Sequence, residues 1–209
     1  MKIRNVEADP VARLVEALKK FPGVGPRGAQ RMAMHILRSP AGFADDLAQR
    51  IREVGFETRF CSRCGNISTS DPCPICADPG RDGRILCVVE EPADVAAIEK
   101  TGKYRGMYYV LHGALSPMDG VGPEDIKIEG LTRLIEKEGI NEIILATNLD
   151  AEGDATAHYL ANQFKSLKVK ITRIARGAPV GSDLQYVDEI TLGESISGRR
   201  EVGEKTEKN

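Results

Sequence analysis

The sequence predicts a multi-domain α/β protein, and three observations predict it. Four cysteines fall within residues 61–76 as two Cys-x-x-Cys pairs separated by eight residues. Before them, apolar residues recur at helical spacing. From Ile85 onward, short apolar runs alternate with helical stretches instead, as in a parallel sheet covered on both faces. A polar, Pro/Gly-containing stretch at residues 78–84 separates the two patterns. The expected segments are a helical region at 1–56, a four-cysteine finger at 57–80, a parallel-sheet α/β domain at 84–179 and a C-terminal segment at 180–209.

The bulk composition narrows the class. Of 209 residues, 41% are hydrophobic and 29% charged, the balance of a soluble globular chain. No apolar run is long enough to cross a bilayer and no signal peptide is visible. Thiols at zinc spacing without such a signal imply a reducing cytoplasm. The net charge of −2 hides an asymmetry. Residues 1–60 carry 11 Lys/Arg against 7 Asp/Glu, and the remainder carries 18 against 24. A basic N-terminal segment fits a polyanionic partner.

Residues 1–9 read as a frayed lead-in. The first helix starts with Asp9 as N-cap and Pro10 at the first helical position. Val11, Leu14, Val15 and Leu18 form its apolar stripe, and Lys19 and Lys20 suit its C-terminal dipole. Then comes Phe21-Pro22-Gly23-Val24-Gly25-Pro26-Arg27. Gly23 and Gly25 make a tight turn, and Pro26 opens a second helix with Ala29, Met32, Ala33, Ile36 and Leu37 on its apolar side. Glycines let backbone N–H groups approach a phosphate, and the helix N-terminus adds positive potential. Arg27 and Arg31 share one face of this helix and Arg38 continues it, giving phosphate contacts that read no base sequence. An ordinary helical hairpin with a solvated basic face is the plainer reading. His35, between these arginines, reads as a surface residue. Ser39-Pro40 is expected to cap a third helix with Phe43, Leu47, Ile51 and Val54 on its apolar side, stopping at Gly55.

Cys61, Cys64, Cys73 and Cys76 follow. Four thiolates around one centre match the tetrahedral preference of zinc and leave no position for a substrate, so one structural zinc per chain is expected. Gly65 stands where the knuckle must turn. Disulfides or a redox pair would be the alternative use of these cysteines. Cys87, inside the run Ile85–Val89, reads as a buried small hydrophobe.

Strands are expected at 85–90, 107–111, 142–147 and 169–175, with helices at 92–100, 128–137 and 152–164. Functional groups in such sheets gather at the carboxyl ends of strands. Glu90 ends the first strand, and Asn148, Asp150, Glu152 and Asp154 follow the third. The same carboxylates would also suit a solvated helix start.

Helix, Gly-Val-Gly turn, helix resembles the helix-hairpin-helix DNA-binding motif. The glutamate followed by an acidic cluster resembles the Toprim domain of type IA topoisomerases, primases and related nucleases. That resemblance implies Glu90 as acid/base carboxylate and an Asp-x-Asp pair for Mg²⁺. Here the first position of the pair is Asn148, which removes a charge and a hard ligand, so no catalytic residue is expected. Weak Mg²⁺ binding at Asp150 and Glu152, or contact with a basic partner, are the uses left to the cluster. With the blocks at 112–117 and 173–184, the whole order over residues 10–201 resembles the RecR family of bacterial recombination mediators. That resemblance implies a DNA-binding protein that is not an enzyme and forms a homo-oligomer, typically a ring-shaped tetramer. It also implies action with RecO and RecF to help RecA replace single-strand-binding protein at gaps. A Mg²⁺-dependent Toprim nuclease or primase and a zinc-containing adaptor without DNA contact are the rival readings. In the resemblance, Tyr186–Leu192 corresponds to a Walker-B-like segment serving oligomerisation. No glycine-rich phosphate loop ending in Lys-Ser/Thr accompanies it, so ATP hydrolysis is not expected. Residues 198–209 read as a mobile tail.

Overall fold

The computed structural model describes residues 9–199; the lead-in at 1–8 and the last ten residues of the expected tail lie outside that range. The chain divides into two compact units, Met1–Thr58 and Arg59–Asn209.

The first unit has three helices, α1 (Pro10–Leu18), α2 (Pro26–Arg38) and α3 (Phe43–Glu57). Asp9 caps α1, its carboxylate accepting from Val11 N at 3.0 Å. Ala29 and Ala33 are the buried residues of α2. Two expectations for α3 are corrected. Its N-cap is Gly42, in a left-handed conformation, rather than the Ser39-Pro40 pair. Ser39 instead donates its hydroxyl to His35 O at 2.8 Å, at the end of α2. The helix also runs through Gly55 to Glu57. A mid-helix glycine costs about 1 kcal/mol but does not force a stop. The apolar side of α3 is not packed away. Phe43, Leu47, Ile51 and Val54 are all exposed, the last two by 61% and 65%.

The second unit begins with a two-stranded antiparallel ribbon, β1 (Arg59–Phe60) and β2 (Ile67–Ser68), and the short helix α4 (Pro74–Ala77). Then come β3 (Asp82–Val89), α5 (Pro92–Glu99), β4 (Gly106–Val110), α6 (Ile128–Glu138), β5 (Glu142–Leu145), α7 (Ala151–Gln163) and β6 (Lys170–Arg173). The four strands β4-β3-β5-β6 form one parallel sheet. β3 starts earlier than expected, at Asp82, because its N–H is taken by Arg105 O at 2.8 Å even though residues 82–84 are polar.

Alternation along the strands builds a core on each face of the sheet. Leu86, Val88, Met107, Tyr109, Ile143 and Leu145 pack with Leu131 and Ile135 of α6, Ala157 and Leu160 of α7, and the four finger cysteines. Cys87, Val89, Tyr108 and Val110 pack on the other face with Val95 of α5. Cys87 is thus a buried core residue. Each fully buried Leu, Ile or Val contributes roughly 1.5–3 kcal/mol, so this sheet rigidly positions whatever stands at its strand ends.

After β6 the chain reaches the Walker-B-like stretch Tyr186–Leu192. It leads into helix α8 (Glu189–Ser197), with Asp188 as N-cap accepting from Thr191 N at 2.9 Å. No residue of α8 is buried. Among the described residues no helix is long and apolar enough to cross a membrane.

Candidate functional site

The hairpin of the first unit is shaped by its glycines. Val24 N donates to Phe21 O at 3.1 Å, closing a turn with Gly23 at φ 75°, a left-handed backbone that favours glycine. Gly25, extended, is the N-cap of α2, and no side chain caps that helix. A Cβ at either glycine would meet nothing within 4 Å. A ligand can therefore approach the first turn of α2, with its unsatisfied N–H groups, without meeting a side chain there. Arg27, Arg31 and Arg38 are exposed. None of them makes an ion pair among the described residues, whereas Lys19 is tied to Glu16 and Arg50 to Asp46 and Glu53. His35 is exposed and packs edge-on against Phe43, with centroids 5.7 Å apart.

The four-cysteine finger is a second construction. The sulfurs of Cys61, Cys64, Cys73 and Cys76 all lie within 4.8 Å of one another and are buried. A tetrahedral shell of thiolates about 2.3 Å from zinc spaces its sulfurs roughly 3.8 Å apart, and Cys64 and Cys73 stand at 3.6 Å. Backbone N–H groups already face sulfur, as they do when thiolates bind a metal. Asn66 N reaches Cys64 Sγ at 3.4 Å, Cys73 N reaches Cys61 Sγ at 3.3 Å, and Cys76 N reaches Cys73 Sγ at 3.4 Å. Hydrogen bonding from the Cys76 thiol holds Cys64 down to about 6. Burial pushes Cys73 up to about 11. The donor set fits zinc, which would be closed off from solvent and structural. The knot is pinned to the sheet domain: Arg63 pairs with Glu138 and donates to Cys76 O at 3.1 Å, and Val110 N donates to Cys64 O at 2.8 Å.

At the carboxyl end of the sheet, Glu90 is buried and bound by Asn148. The Asn148 amide nitrogen donates to Glu90 Oε2 at 2.6 Å and its backbone N–H to Oε1 at 2.9 Å. Burial raises the Glu90 carboxyl above the usual carboxylate range, against the lowering effect of the Asn148 N–H. The Asp150 charge adds to that rise, but Asp150 and Glu152 have other hydrogen-bond partners. Asp150 caps α7, accepting from Gly153 N at 2.8 Å, and Glu152 accepts from the Ser116 hydroxyl at 3.1 Å. Among the described residues, the cysteines are the one group of three or more His, Cys, Asp or Glu whose ligand atoms converge. An amide donor thus fills the place beside Glu90 where a second carboxylate would need a cation.

Gly153 holds this arrangement. A Cβ there would lie 2.2 Å from Asn148 O. Helix propensity alone would make Gly153→Ala stabilising by about 1 kcal/mol. The clash reverses the sign, and overpacking of this kind costs about 1–3 kcal/mol. Thermal unfolding of Gly153→Ala should show a midpoint lowered by roughly 2–12 °C; a raised midpoint would mean that the loop yields freely.

Sequence reasoning missed two ties. Asp154 bridges Arg176 and Arg173, the latter at 2.5 Å, and these hydrogen bonds hold its carboxyl below the usual range. His112 hydrogen-bonds through Nε2 to Gly65 O at 2.8 Å. Both join residues far apart in the chain, and no local spacing signals them.

Comparisons with known proteins agree with this order of parts. Family models match a RecR helix-hairpin-helix over residues 11–54, a RecR four-cysteine zinc finger domain over 58–78, a Toprim domain over 84–175 and a RecR C-terminal region over 179–200. The fold and its sites thus define a class: a Toprim domain preceded by a helix-hairpin-helix and a structural four-cysteine zinc finger. Curated relatives named recombination protein RecR cover nearly the whole chain. The one from Anaeromyxobacter dehalogenans is 53% identical over 195 residues, 93% of this chain and 98% of its own. That from Heliobacterium modesticaldum is 53% identical over the same shares, and that from Bifidobacterium longum (strain NCC 2705) 51% identical over 92% and 96%. The chain belongs to the RecR family.

Proposed function

We propose that this protein is a non-catalytic DNA clamp of recombinational repair, working in the cytoplasm. It holds DNA through phosphate contacts that are independent of sequence, and it acts with RecO- and RecF-type proteins to promote RecA loading at single-stranded gaps. The observation that carries the reading is the glycine hairpin: open space at Gly23 and Gly25, an uncapped first turn of α2, and exposed Arg27, Arg31 and Arg38 without ion-pair partners among the described residues. Gly23, Gly25 and the three arginines are the proposed DNA contacts, and Cys61, Cys64, Cys73 and Cys76 the ligands of one zinc.

One hairpin offers few cations, so useful affinity calls for several copies linked together. Two exposed apolar surfaces support self-association. One is the side of α3 carrying Phe43, Leu47, Ile51 and Val54; the other is the C-terminal segment with Leu184, Tyr186 and Ile190. We take the assembly to be a ring-shaped tetramer. Sedimentation should give four times the 22.8 kDa chain mass; a monomer at micromolar concentration would contradict the clamp.

The Toprim match and Glu90 at a strand end favour the Mg²⁺-dependent nuclease or primase as the second reading. The amide of Asn148 on Glu90 weighs against it, leaving Asp150 and Glu152 for weak Mg²⁺ or a basic partner. Incubation of DNA with the protein and Mg²⁺ should leave the strands intact, and Glu90→Gln should bind DNA as the wild type does. Cleavage that disappears in Glu90→Gln would replace the clamp with an enzyme.

A further inference from the structure

The finger ribbon pairs Phe60 with Ile67 across β1 and β2. Both side chains are exposed, by 56% and 52%. They stand on a short element braced by the four buried cysteines, so their exposure belongs to an ordered surface.

The Phe60 ring has two partners. The His112 ring meets it in a T-shaped contact, with centroids 4.4 Å apart and planes at 71°. The Lys127 ammonium lies 4.8 Å from its centroid. His112 is itself fixed, by the hydrogen bond to Gly65 O and by a backbone φ of 62°, an uncommon conformation outside glycine. Gly65 leaves no slack in that contact, since a Cβ there would stand 3.0 Å from His112 Nε2 and 3.1 Å from Val110 O. Lys127 is exposed and has no ion-pair partner among the described residues. A fixed, exposed aromatic ring beside an apolar neighbour and a free ammonium has the chemistry that holds an unpaired base: the ring stacks, and the cation takes a flanking phosphate.

We propose that Phe60 is a stacking platform for an unpaired base of single-stranded DNA, extended by Ile67, with Lys127 taking an adjacent phosphate. Lys127 exchanges its contact with the ring for one with phosphate as the base arrives. The inference rests on the DNA-binding reading above and adds a strand preference to it. Bases inside a duplex are stacked on both faces and cannot use the platform, whereas phosphate contacts at the hairpin serve either form.

The chain contains no tryptophan, so Phe60→Trp places a single indole at the platform. Titrating this variant with oligothymidylate should quench its fluorescence, and an abasic oligonucleotide of equal length should not. Phe60→Ala should lose about 5- to 150-fold in affinity for single strands, the equivalent of one stacked base at ~1–3 kcal/mol, with duplex affinity unchanged. Absence of quenching, with single-strand affinity of Phe60→Ala intact, would overturn the platform while leaving hairpin binding standing. An equal loss on duplex would also overturn it, as would an indole already shielded from water before DNA is added, which would show another copy of the chain on this surface. If the wild-type protein binds neither form of DNA, the platform and the clamp fall together.

Discussion

Cys64→Ala is expected to abolish zinc binding and to leave little soluble, assembled protein. Structural zinc binding in small finger modules contributes about 10–16 kcal/mol, comparable to the whole stability of a domain at about 5–15 kcal/mol. In this chain the finger is also part of a core. Its four cysteines belong to the cluster that includes Leu86, Val88, Tyr109 and Leu111 of the sheet region. Removing one ligand therefore loosens the packing of that face as well as the knot. Cys87→Ala is the matched control, because Cys87 is buried on the opposite face of β3. It should keep one zinc per chain and lose only modest stability. Metal content measured on purified protein, with mass by gel filtration, reads both outcomes. A folded, assembled Cys64→Ala protein would show that the knot contributes far less than its place in the core implies.

Arg27→Ala combined with Arg31→Ala is expected to weaken DNA binding by about 10²–10⁴-fold in the assembled protein, equally for unrelated sequences. The loss is large because linked copies multiply a weak contact, and weakening every copy removes that gain. It is uniform across sequences because phosphates carry no sequence information. Both side chains are exposed, so zinc content, mass and unfolding midpoint should match the wild type. Equilibrium binding to two oligonucleotides of different sequence, single- and double-stranded, measures the effect. Unchanged affinity would remove the hairpin from the account and favour the adaptor without DNA contact.

The parts of this molecule legible in the sequence are those encoded by short spacings. Cys61 to Cys76 define their centre through two three-residue steps, and Gly65 at φ 77° turns the knuckle between them. Gly23, Gly25 and Pro26 define the hairpin in the same way, since each restricts the backbone locally. The apolar run Ile85–Val89 likewise pointed to Cys87 as a core residue, and it is buried. What was not legible depends on contacts between distant residues. The acidic groups look like one cluster along the chain. In space, Glu90 is claimed by Asn148, 58 positions on, while Asp150 and Glu152 bond elsewhere. The end of α3 was misplaced because Gly55 permits a stop without requiring one. The apolar stripe of α3 was correctly found, yet periodicity cannot say whether a stripe meets its own domain or another copy.

The most direct test of the central claim is a salt titration of DNA binding by the wild-type protein. If six to ten phosphates are neutralised by the linked hairpins, the logarithm of affinity should fall linearly with the logarithm of salt concentration, by about 10³–10⁵-fold between roughly 50 and 200 mM. An affinity that stays level across that range would contradict a clamp that holds DNA by its phosphates.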